Sequence, residues 1–136
     1  MQMLGTLGLG LALSAASFGA AAQTIDGTKP LVCASMESFD CAPGGSCIKG
    51  LARDIDAPQF IHLDFAEGVA RTVRANGEER EAKISEPRRE AGQLILQGVQ
   101  EGFGWSLSIA KKNGAMALTI TGEEVAFVIF GACTPS

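Results

Sequence analysis

From Pro58 onward the chain is a series of short segments in which apolar and polar side chains alternate, separated by glycine-containing turns. Alternation with a period of two places successive side chains on opposite faces of an extended strand. The predicted strands are 60–65, 69–75, 78–85, 93–99, 104–111, 115–121 and 124–132. Strands that follow one another at this close, regular spacing are typical of an all-β domain.

The predicted fold class is all-β, a small antiparallel meander barrel of about 7–8 strands, with a β-sandwich as the alternative. Closure into a barrel would pair the edge strands that a meander otherwise leaves open. The immunoglobulin sandwich ranks second because Trp105, the single tryptophan, does not follow the usual order of Cys, Trp and Cys.

Individual strands carry further signals. Asn76-Gly77 is typical of a two-residue type I′ hairpin turn between the two charged strands. Segment 125–130 is apolar on both faces, which indicates a central strand or one whose outer face is covered. Six side chains on single faces of two later strands are expected in the core: Trp105, Leu107, Ile109, Met116, Leu118 and Ile120.

Residues 1–22 contain no charged side chain and end in three alanines, which predicts a secretory signal peptide cleaved between Ala22 and Gln23. A permanent membrane anchor is the alternative, but no Lys or Arg follows closely to stop transfer. We therefore expect a periplasmic or secreted protein with no stable membrane anchor after cleavage. The predicted organisation is 1–22 signal peptide, 23–57 N-terminal extension with a Gly-rich Cys loop, and 58–136 β-meander, forming one domain with the extension.

Four cysteines lie in the exported part, Cys33, Cys41, Cys47 and Cys133, and allow three pairings. An even number in an oxidising compartment predicts two disulfide bonds. The favoured pair is Cys41 with Cys47, because the intervening residues include two glycines and a proline that suit a tight loop. Cys33 would then pair with Cys133 and connect the first ordered segment to the last strand.

A copper or other soft-metal site is an alternative use of sulfur-containing side chains, with candidate ligands Cys41, Cys47, Met36, His62 and Met116. The spacing of Cys41 and Cys47 is wider than that of structural zinc sites, and no CxxC motif is present. We expect no metal and no cofactor.

Catalytic residue types are sparse. His62 is the only histidine, and its position two residues before Asp64 is the ordinary spacing of one strand face. We therefore assign no catalytic residue and expect no enzyme. Nucleic acid is also an unexpected partner, since the net charge is −4 and the chain contains no tyrosine for base stacking.

The sequence indicates two candidate surfaces for a protein or envelope-component partner of a monomeric protein. The first is an arginine-rich strip, because Arg side chains match carboxylate and phosphate geometry. The second is an aromatic side chain between two glycines, which is expected either at the mouth of a barrel or packed in the core. The candidate partner-binding residues are Arg71, Arg74, Arg80, Arg88, Arg89 and Phe103.

Segments 94–99, 104–107 and 130–133 together resemble a group of exported small β-barrel proteins of Gram-negative bacteria that has no assigned activity. The resemblance covers most of the mature chain and implies an exported barrel, with no functional residue carried over. More loosely, a short barrel with a cysteine near each end is similar to the periplasmic inhibitors of C-type lysozyme. Their Tyr-containing loops have no counterpart in this chain.

Together these features favour an exported, disulfide-stabilised binding or inhibitory module. The alternatives are a structural or envelope-stress protein without a discrete ligand, and a copper-binding protein. Binding of a small ligand would require an open, apolar barrel interior of a few hundred Å³. A filled interior would point to binding at the outer surface instead.

Overall fold

The computed structural model describes residues 24–74 and 76–136, so the signal peptide predicted for residues 1–22 lies outside the described residues. Within them the chain forms ten strands and one short 3-10 helix. In chain order these are β1 (Leu31–Cys41), β2 (Ile48–Gly50), the 3-10 helix (Ala52–Ile55), β3 (Phe60–Asp64), β4 (Val69–Val73), β5 (Glu79–Lys83), β6 (Arg88–Glu90), β7 (Gln93–Gln100), β8 (Phe103–Ala110), β9 (Ala115–Gly122) and β10 (Val125–Pro135). Among the described helices, none has the length and apolar character needed to span a bilayer.

All strands belong to one antiparallel sheet with the order β5-β4-β3-β1-β10-β9-β8-β7-β6, and β2 pairs with the second half of β1. The sheet curls into a half-barrel, which confirms the predicted all-β, antiparallel, barrel-like fold. The sheet curls far enough to bring β5 close to β7: just after β5, the Ser85 N–H donates to the Gln97 carbonyl of β7 at 2.8 Å. Both edges of the meander are therefore held close to each other.

Strand β1 was not predicted as a strand, yet it lies at the centre of the sheet between β3 and β10. A β-bulge between Ser35 and Glu37 interrupts its ladder with β10. Leu31 and Cys33 are buried before the bulge and Ser38 after it, so the inward positions change from odd to even numbers. This change of phase hides the period of two that identifies a strand.

The core lies on the concave face of the sheet. Its large buried aliphatic side chains come from six strands: they are Leu31, Ile61, Leu63, Leu94, Leu96, Leu107, Ile109, Leu118 and Ile129. Four of the six predicted core residues on β8 and β9 are buried, whereas Trp105 and Ile120 are half-buried and pack against the core. Strand β10 is central, as its apolar sequence predicted.

The β4–β5 hairpin differs from the predicted two-residue turn. Val73 lies opposite Glu79, and the Arg74 N–H donates to the Glu78 carbonyl at 2.9 Å, which leaves three residues in the loop. Gly77 has a φ of +85°, as three-residue hairpin loops require of their last residue. This register places Ala70 opposite Ala82 on the buried face, and a shift by one residue would expose one of them.

One end of the barrel is closed by the segment that precedes β1. The Ile25 side chain is buried there among the core residues. The Arg89 guanidinium donates to the backbone carbonyls of Asp26 and Gly27 and so holds the segment in place. Hydrogen bonds from the hydroxyl and the N–H of Thr28 lower the pKa of the Asp26 carboxyl below its usual value.

Both favoured disulfide bonds are present, and the described residues contain no free cysteine. Cys33 and Cys133 lie opposite each other on β1 and β10, so their bond crosses the ladder between the first and last long strands. Cys41 and Cys47 close the loop between β1 and β2. The bonds are compatible with an oxidising, extracytoplasmic environment.

We expect Ile25→Ala to lower the free energy of unfolding by about 2–5 kcal/mol, because it leaves a cavity in the closed end of the barrel. Urea unfolding of the two proteins measures the difference. Ile48→Ala is the matched control, since the Ile48 side chain is 73% exposed and should contribute little. Similar, small losses for both variants would show that the segment before β1 does not close the core.

The two disulfide bonds should differ in their contribution to stability. In the chain-entropy model, a loop of 100 residues is worth about 4–5 kcal/mol, whereas a loop of six is worth about 2 kcal/mol. Urea unfolding of the Cys33→Ala/Cys133→Ala and Cys41→Ala/Cys47→Ala variants measures both. The reverse order, with the short loop contributing more, would contradict this assignment.

Candidate functional site

A cavity of about 350 Å³ opens at the end of the barrel opposite Ile25. Its floor is made of core side chains, among them Leu63, Leu107 and Leu118. One wall carries small side chains from β4 and β5, namely Ala70, Thr72 and Ala82, which leave room between this wall and the larger residues of β8 and β9. The interior of the barrel is therefore open and apolar, of the size that small-ligand sites require.

Two arginines at the mouth of the cavity form ion pairs with carboxylates. Arg80 Nη1 is 2.9 Å from a Glu101 carboxylate oxygen, which connects β5 to the β7–β8 turn. Arg74 Nη2 is 3.4 Å from Asp56, which follows the 3-10 helix, and Arg74 Nη1 is 3.8 Å from Glu78. Each arginine at the mouth thus faces at least one carboxylate, and the charge that it brings to the cavity is balanced.

Aromatic side chains line the cavity between the mouth and the floor. Trp105 on β8 lies opposite Gly98 on β7, and its ring packs over the space where a larger residue would place a Cβ. A Cβ on Gly98 would also lie 2.6 Å from the carbonyl oxygen of Lys83 on β5. Because Gly98 has no side chain, both the Trp105 ring and the edge of β5 can pack closely against its backbone.

Phe103 lies nearer the mouth, where it is 38% exposed and lines the cavity. A Cβ on Gly122 would be 2.6 Å from its ring, so the glycine of β9 allows the ring to lie against the sheet. The sequence placed Phe103 either at a barrel mouth or in the core. The structure places it at the mouth, where it is available to a ligand.

Two N–H groups of side chains that line the cavity are themselves covered by protein atoms and have no hydrogen-bond partner among residues 24–74 and 76–136. They are Arg80 Nε and the indole Nε1 of Trp105. A buried donor without a partner costs about 1–3 kcal/mol relative to a satisfied one.

The remaining arginines of the predicted strip lie elsewhere, and the structure does not bring all five together. Arg71 is on the outer face of β4, where its Nε donates to Glu81 at 3.0 Å. It also pairs with Glu67, and this hydrogen bond raises the pKa of the Arg71 guanidinium above its ordinary value. Arg88 is exposed on β6, and Arg89 holds the segment at the closed end.

The residues weighed for catalysis lie outside the cavity. His62 is exposed on β3 and lines a separate groove of about 250 Å³, together with Phe60 and Val73. The Asp64 carboxylate accepts the Glu67 N–H at 3.0 Å and is 3.9 Å from Arg71. Asp64 is therefore engaged in the outer ion-pair cluster of the hairpin.

The residues weighed as soft-metal ligands are also separated. All four cysteines are in disulfide bonds, so Cys41 and Cys47 offer no thiolate. Met116 is buried with its sulfur 3.7 Å from Cys133, whereas Met36 is 67% exposed. In the described part of the chain, no group of three or more His, Cys, Asp or Glu side chains could hold a metal ion.

The small residues that keep the cavity open and the role of Gly98 were not predicted from the sequence. A glycine in the middle of a predicted strand is a signal of close approach by another group, and Gly98 carries that signal. Ala70 and Ala82 are the small residues of a charged hairpin, and their register was not predicted correctly.

No family model, curated protein or solved structure matches the chain.

Gly98→Ala should displace the Trp105 ring or the β5 edge and lower the free energy of unfolding by about 1–3 kcal/mol, as overpacking does. The fluorescence of Trp105, the only tryptophan, should change at the same time. Gly104→Ala is the matched control on β8, because a Cβ there would be at an ordinary 3.7 Å from Thr121. Equal behaviour of the two variants would contradict the packing described for Gly98.

Proposed function

We propose that this protein is an exported, disulfide-stabilised binding module that holds a small, largely apolar ligand inside its barrel. The single observation that carries the proposal is the open apolar cavity of about 350 Å³. Pockets for small molecules are concave, mostly apolar and usually about 300–1,000 Å³ in volume. The cavity is at the lower end of this range, which favours a compact ligand.

The arrangement of side chains supports binding inside the barrel over binding on the arginine-rich hairpin. The arginines at the mouth are paired with carboxylates, and Arg71 on the outside pairs with two glutamates. Exposed pairs of this kind contribute little binding energy to a new partner. The apolar cavity wall, by contrast, gains free energy when a ligand covers it.

Export to the periplasm or the outside of the cell belongs to the same proposal. It is supported by the uncharged, apolar residues 1–22, by the two disulfide bonds, and by the resemblance to exported small β-barrel proteins. A structural or envelope-stress role without a ligand would be served equally well by a filled barrel. The cavity therefore favours the binding role.

The proposal is tested by titrating the protein, without residues 1–22, with N-phenylnaphthylamine, a neutral apolar dye that fluoresces in apolar surroundings. We expect saturable binding together with a change in Trp105 fluorescence, since Trp105 lines the cavity. Ala82→Leu should weaken binding by about tenfold or more, because the larger side chain occupies the ligand volume. Its melting temperature should not fall substantially, since the added methyl groups enter existing space.

Ala132→Leu is the matched control for Ala82→Leu. Ala132 is exposed on the outer face of β10 and does not line the cavity. Its variant should bind the dye as the wild type does. Absence of saturable binding to the wild type, or equal weakening by both substitutions, would refute a ligand site inside the barrel.

A further inference from the structure

The wall of the cavity formed by the β4–β5 hairpin changes from apolar to charged toward the mouth. Ala70 and Ala82 lie opposite each other and are buried, and the next inward pair is Thr72 and Arg80, which are half-buried. Arg74 follows at the mouth. Four residues of a strand span about 13 Å, so the step from Ala70 to Arg74 covers the depth of a small ligand.

The opposite wall stays apolar and becomes more exposed in the same direction. On β8 the inward side chains are Leu107, which is 1% exposed, then half-buried Trp105, then Phe103 at the mouth. Leu118 and Ile120 of β9 lie opposite Leu107 and Trp105. The cavity therefore has an apolar floor and a mouth that carries the charged side chains of the lining.

A site that is apolar at one end and polar at the other favours a ligand built in the same way. Resting on the proposed function, we propose that the ligand is a single-chain amphiphile with an uncharged head group that carries a hydroxyl. Its chain extends to the floor, and its head group stays at the mouth. This orientation keeps the polar end of the ligand in contact with polar side chains and water, and buries only its apolar part.

Two uncharged polar side chains of the lining, Thr72 and Gln100, indicate the chemistry of the head group. The Gln100 amide nitrogen donates to the Glu81 carbonyl at 3.4 Å, which leaves the amide oxygen as an acceptor. The Thr72 hydroxyl is not among the covered polar atoms that lack a partner, unlike the N–H groups of Arg80 and Trp105. A ligand hydroxyl both donates and accepts, so it matches a threonine hydroxyl and an amide oxygen.

The charges at the mouth favour a head group without a charge of its own. The lining includes two cations, Arg74 and Arg80, and two anions, Asp56 and Glu101, so their sum is zero. Arg80 is 2.9 Å from Glu101, and Arg74 is 3.4 Å from Asp56. A charged head group of either sign would compete for one member of a pair and leave the other without its counterion. An uncharged head group leaves both pairs intact.

A series of probes with the same chain tests the orientation: octane, octanol, and octanediol with a hydroxyl at each end. Each is titrated as a competitor of N-phenylnaphthylamine. Octanol should bind at least as tightly as octane, because its hydroxyl stays at the mouth. Octanediol should bind at least about fivefold more weakly than octanol, because its second hydroxyl reaches the apolar floor without a partner. The readout is this difference between the first and the second hydroxyl, which hydrophobicity of the probe alone would not produce.

Thr72→Val tests the contact with the head group, since valine keeps the shape of threonine and lacks the hydroxyl. It should weaken binding of octanol by about two- to tenfold, as loss of one neutral hydrogen bond does, and leave binding of octane unchanged. Thr119→Val is the matched control, because Thr119 is exposed on β9 and does not line the cavity. Equal losses for octane and octanol in the Thr72 variant would contradict the contact.

The charge of the head group is tested with octanoate and octylammonium, which should each bind more weakly than octanol. Tighter binding of either ion would overturn the uncharged class. Equal weakening by the first and the second hydroxyl would overturn the orientation and leave an apolar binding site. Failure of the dye and of every probe to bind would overturn the proposed function itself.

Discussion

Pairing of β1 with β10 is the interaction on which the rest of the structure depends. The two strands form the longest ladder in the sheet and join residues about 100 positions apart. On one side of this ladder lie β3, β4 and β5, and on the other lie β9, β8, β7 and β6. Each group alone is a short meander with an exposed apolar face, so a common core exists only when β1 and β10 pair. The Cys33–Cys133 bond crosses this ladder and reduces the entropy that its closure costs.

Curling of the joined sheet creates a barrel whose two ends differ because the inward side chains differ in size. Toward Ile25 the space is filled by leucine, isoleucine and methionine. Toward the other end, β4 and β5 contribute Ala70, Thr72 and Ala82, which are too small to reach the opposite wall. The cavity is thus a consequence of residue choice on one hairpin, and the three-residue loop of that hairpin sets the register that turns these residues inward.

The regularity of the sequence pattern in each strand determines how much of the fold and of the site could be predicted. Strands β7, β8 and β9 were predicted closely, since an uninterrupted period of two survives there, and β10 was predicted from a segment that is apolar on both faces. Strand β1 was missed because its bulge changes the phase of the alternation. The arginines of the hairpin were recognised as a set, but the period of two separates Arg71 from Arg74, which is three residues further along the strand. Arg74 and Arg80 reach the mouth while Arg71 stays outside.

Ion pairs, rather than hydrophobic contacts, connect the strands at the mouth of the apolar cavity. Arg80 and Glu101 connect β5 to the β7–β8 turn, near the place where the curled sheet approaches itself. A hydrophobic contact at that position would draw the rim together and reduce access to the interior. A partly exposed ion pair stabilises the rim only weakly, since water screens it and can replace either partner. The mouth can therefore be held in shape without being sealed.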